Sequence, residues 1–142
     1  MSDLEQASGE HVSSAAGAPL TAYTMYAVFR SRRGAGELAD ADRDLAAAEV
    51  DDLLGELAGK GVVTRGFYSV SGFRHDADYL IWWIAPNSED LQDAYLRFLR
   101  TRLGRASDPV WSVIGVHRDA EFNKAHIPAF LAGMEPKAYL CV

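Results

Sequence analysis

Apolar positions along the chain alternate between the twofold spacing of strands and the three-to-four spacing of helices, and each change marks a new element. Tyr23–Arg30 (YTMYAVFR) is rich in aromatic and β-favouring residues and predicts a strand. From about Ala39 to Lys60, Val50, Leu53, Leu54 and Leu57 fall at i, i+3, i+4 and i+7, the apolar stripe of an amphipathic helix. Asp40 or Asp42 is placed to cap its start, and Gly59 or Gly61 to end it. Val62–Phe73 returns to β character, with Gly66 at a bulge, and RHDAD (Arg74–Asp78) is a polar turn. Tyr79–Ile84 (YLIWWI) is almost wholly apolar, as a central strand must be. Pro86–Gly104 predicts a second helix, with Ser88 as N-cap, Glu89 and Asp90 at its positive end, and Gly104 as C-cap. Leu91, Ala94, Tyr95 and Phe98 form one face, which Leu96, Leu99 and Leu103 widen enough to bury a second side against a partner chain. After a loop at Arg105–Pro109, Val110–His117 (VWSVIGVH) predicts a fourth strand.

The order β-α-β-β-α-β predicts an α+β fold of ferredoxin-like type, two helices covering one face of a four-stranded antiparallel sheet. The other sheet face still carries aromatic residues and needs a cover, which a second copy of the unit would supply by closing an α+β barrel. The expected division is a disordered tail over 1–21, the ferredoxin-like domain over 22–119, a linker over 120–137, and the first strand of a truncated second unit over 138–142.

Composition narrows the classes. Of 142 residues 49% are hydrophobic, ample for one core, and no segment approaches the ~18 apolar residues of a membrane span. The start lacks the pattern of a signal peptide, and one cysteine, Cys141, cannot form an internal disulfide, so a cytoplasmic location is expected. A net charge of −6 argues against general nucleic-acid binding, although local basic clusters can still hold an anion.

Among candidate reactive residues His126 stands first. A lone loop histidine is commonly a hydrogen-bonded surface residue; buried near a reacting atom, its imidazole can take a proton from a weak acid such as a peroxide. Pro128 stiffens the turn that follows. His75 reads as a solvated turn residue, His117 ends a strand without a partner at ligand spacing, and His11 lies in the tail. Metal-site, phosphate-loop and nucleophile-elbow patterns are all missing from the sequence. Trp82, Trp83 and Trp111 read as packing residues. Arg97, Arg100, Arg102 and Arg105 read as a solvated helix face, with carboxylate binding as the second option.

The segments YAVFR, GFYSVSGFRHDADYLIWW, LQDAYLRFLRTRLGRA, PVWS and HRDAEFNKAHIPAFL resemble the amino-terminal half of coproheme decarboxylases, haem synthases of the chlorite dismutase superfamily, in its actinobacterial branch. The resemblance runs from about Tyr23 to Val142. It implies a cytoplasmic oxidoreductase that completes haem b, with ferric coproheme (iron coproporphyrin III) as both substrate and cofactor. Hydrogen peroxide drives loss of carbon dioxide from two propionates, leaving vinyl groups. It further implies subunits of two ferredoxin-like halves, assembled as homo-oligomers, typically pentamers. By the same resemblance His126, in NKAHIPAF, is the distal base that deprotonates iron-bound peroxide. The radical-bearing tyrosine is expected directly after Val142, and the proximal histidine on the iron in the half beyond it, so the 142 residues alone are expected to be inactive. No porphyrin-binding residue is assigned. Two alternatives stand beside this reading: a non-catalytic ferredoxin-like module that self-associates, and a small cofactor-free monooxygenase of the dimeric α+β barrel type.

Overall fold

The computed structural model describes residues 22–118 and 127–140. Four strands and three helices follow in the order β1 (Ala22–Ser31), α1 (Arg43–Gly59), β2 (Val63–Ser69), β3 (Tyr79–Ala85), α2 (Ser88–Phe98), α3 (Arg102–Arg105) and β4 (Ser107–His117). They form one antiparallel sheet in the order β2-β3-β1-β4, so the most apolar strand, β3, is central as expected. This is the ferredoxin-like arrangement, with α1 and α2 on one face.

Strand alternation divides the sheet into two chemistries. Met25, Ala27 and Phe29 of β1 stand with Ile81 and Trp83 of β3 on the helix side, packed on Leu53, Leu57, Leu91 and Phe98. Phe98 is the hub, with the rings of Phe29 at 5.1 Å and Trp83 at 6.1 Å. The intervening residues Val28, Leu80, Trp82 and Ile84 line the opposite, open face.

Local chemistry explains where elements start and stop, including where the expectations need correction. The α1 helix ends as Gly61 adopts φ +85°, which lets Val62 N–H reach the Leu57 carbonyl and Gly61 N–H the Ala58 carbonyl. That is a Schellman closure, and it buries Val62 in the core beside Leu57. At its other end α1 has no side-chain cap. Asp40–Asp42 form a 3-10 turn that runs straight into the helix, so Asp42 is already helical, and Asp40 pairs instead with Arg43 at 2.7 Å. The cap of α2 is Asn87, not Ser88: its Oδ1 accepts from Asp90 N–H at 2.8 Å. The register shift in β2 lies between Thr64 and Gly66, so the expected bulge is present, with Arg65 as its extra residue. The strand β4 begins at Ser107, earlier than the loop expectation allowed, because Pro109 and a bulge opposite Val28/Phe29 are tolerated on an edge strand.

Gly104 is not the C-cap of α2, which ends at Phe98; it sits buried in α3, capped by Thr101. A Cβ at Gly104 would lie 2.0 Å from the Phe98 carbonyl oxygen and 2.7 Å from Leu99 Cα. Both neighbours are backbone, so neither can swing aside. We expect Gly104→Ala to destabilise the domain by about 3 kcal/mol, the upper end of overpacking costs, measured as a drop in the urea midpoint with little change in slope. An unchanged midpoint would show that α3 re-seats freely.

Residues 127–140 cross the open face. Pro128–Gly133 form a turn held by Leu131 and Ala132 N–H bonding to the Pro128 carbonyl, and Phe130 and Leu140 pack on the Trp82 cluster. Residues 138–140 are not paired in the sheet, and 141–142 lie outside the described residues, as does the expected tail over 1–21.

Candidate functional site

The open sheet face concentrates the polar and aromatic chemistry. Trp82, mid-strand in β3, donates its indole N–H to Thr24 Oγ1 at 2.6 Å, which fixes the ring against Tyr26 at 5.3 Å. The Arg65 guanidinium lies 5.5 Å over the same indole, a cation–π contact created by the β2 bulge. On the other side Phe130 meets Trp82 edge-on at 5.9 Å, and His117 meets Phe130 at 6.3 Å. Tyr68 donates to the Lys137 carbonyl at 3.4 Å, tying the crossing segment to β2. Burial pushes the Tyr26 phenol above its ordinary value, so it stands as a neutral hydrogen-bonding group.

Beside this cluster a cavity of about 760 Å³ opens between the sheet and residues 138–140. Its walls include Val28, Leu80, Phe73, Tyr68 and Trp111, so it is mainly apolar and aromatic, with Arg74 at its rim. The volume lies in the range of small-molecule and cofactor sites. At the end of β1, Arg30, Arg32, Arg33 and His75 share a second pocket of about 640 Å³ with Asp78 and Asp108. Arg32 donates to Asp108 at 2.9 Å, and that contact holds the Asp108 carboxyl below its ordinary range. The apolar cleft is thus accompanied by a pocket of mixed charge, in which Asp108 pairs with both Arg30 and Arg32.

The candidates from the sequence distribute unevenly over this surface. Trp111 lines the apolar cavity, His75 the basic pocket, and His117 the open face. Trp83 is core, as expected. Arg97 and Arg102 are engaged by Glu56 and Glu49 across α1, on the opposite side of the sheet, so the carboxylate option fails for them. Leu96 remains exposed on α2. His126 lies outside the described residues, immediately before Ile127, where the crossing segment resumes. Sequence reasoning missed Arg65 and Tyr26, although the Gly66 bulge was the available signal for the first. Among the described residues no three His, Cys, Asp or Glu side chains gather as a metal site, and no described helix is long and apolar enough to cross a membrane.

Fold and site together define an α+β protein of ferredoxin-like type whose open sheet face carries an aromatic cleft. The chain belongs to the chlorite dismutase family: the Chlorite dismutase family profile matches residues 43–142. It is 53% identical over 121 residues to a coproheme decarboxylase from Mycolicibacterium smegmatis, covering 84% of this chain and 51% of that protein. Among solved structures it is similar to a mutant chlorite dismutase from Candidatus Nitrospira defluvii, with TM-score 0.64 and 25% identity over 71% of this chain and 42% of that one. Chlorite dismutase from the same organism in complex with imidazole shares the fold, with TM-score 0.66 and 23% identity over 76% of this chain and 44% of that one. The chain therefore spans about half the length of the curated relative it matches.

Proposed function

We propose that this chain is the amino-terminal part of a hydrogen-peroxide-dependent coproheme decarboxylase, which converts iron coproporphyrin III to haem b. The 53% identity to a curated coproheme decarboxylase carries the reading, since it extends over 84% of the chain. The open face is compatible with it. Its aromatic and aliphatic walls suit a macrocycle. When bound, the iron porphyrin would supply peroxide-driven oxidation of two of its own propionates, each losing its carboxylate as carbon dioxide and remaining as a vinyl group while the peroxide is reduced to water.

His126 is the base that takes the peroxide proton. Phe130, four residues later in the sequence, packs edge-on against Trp82 at 5.9 Å. Ligation of the iron and the radical-bearing tyrosine are assigned, by the resemblance to the family, to a second ferredoxin-like unit in the part of the relative that this chain does not span. The assembled enzyme is a cytoplasmic homo-oligomer.

The decisive experiment is reconstitution with the carboxy-terminal half of the Mycolicibacterium smegmatis relative, given ferric coproheme and hydrogen peroxide. Vinyl-bearing porphyrin is expected from the mixture, and none above a protein-free control from the 142-residue chain alone. Product from the chain alone would overturn the division of labour. A folded, coproheme-binding mixture without product would overturn the activity.

A further inference from the structure

We draw no further inference here: the strongest candidate, the partly buried Arg65 guanidinium over Trp82 on the open sheet face, carries nothing because the chain spans 51% of its relative and nothing in the structure shows what covers that face.

Discussion

Trp83→Ala should destabilise the domain by about 3–5 kcal/mol, a large fraction of a whole-domain stability of ~5–15 kcal/mol. Trp83 is fully buried on the helix side of the central strand, within the cluster that Phe29, Leu57 and Phe98 complete. Its neighbours are anchored to a sheet strand and two helices, so they cannot collapse into the space an alanine leaves, and the cavity term adds to the lost transfer energy. The indole N–H has no acceptor among the described residues. A buried donor without a partner costs ~1–3 kcal/mol, and Trp83→Phe removes it while keeping an aromatic ring against Phe98. The phenylalanine variant should therefore lose less than half as much as the alanine variant. Urea unfolding of both variants reads the contrast. Equal losses would mean that the indole N–H is satisfied and that the edge of the ring, not its bulk, holds the core.

Trp82, its neighbour, shows why a sequence reveals the type of an element more readily than the role of a side chain within it. YLIWWI announces a central strand, because only a strand buried on both faces can hold such a run. It does not say which tryptophan faces the helices. That follows from register: Met25 opposite Trp83 and Tyr26 opposite Trp82 turn one indole into the core and the other toward the cleft. The β-α-β-β-α-β order and the bulge at Gly66 are equally legible, since each rests on local spacing. The caps are less so. Asn87 and Ser88 are both good N-cap residues, and which one serves depends on the exact φ, ψ at which the strand exit meets the helix. Gly104 carries a clear signal with two meanings, an end to a helix or a close backbone approach, and only packing against the Phe98 carbonyl chooses the second. The cleft itself needs the crossing segment, whose contacts through Phe130 and Leu140 span long stretches of chain and follow no period. Its walls are visible as residues, but their meeting is not.

His126→Ala should lower peroxide-driven decarboxylation by about 10²–10⁴-fold in the enzyme reconstituted from this chain and the carboxy-terminal half of its Mycolicibacterium smegmatis relative. At 1.36 kcal/mol per decade that is about 2.7–5.4 kcal/mol of barrier, the range expected for one positioned proton acceptor. Coproheme affinity, read from the Soret band, should change little, because the base is asked to act on peroxide and not to hold the porphyrin. A fall in kcat at constant affinity is the mark of a group that acts in the transition state. Fold should survive, since the neighbouring Ile127 is 56% exposed and the anchor of the segment is Phe130 on Trp82. Imidazole added to the buffer should restore part of the lost rate in the alanine variant by entering the vacated space, and should not do so in Phe130→Ala, where the anchor and not the base is removed. A variant that keeps its rate would take His126 out of the reaction. One that loses rate and porphyrin binding together, without rescue, would make it a structural residue of the cleft.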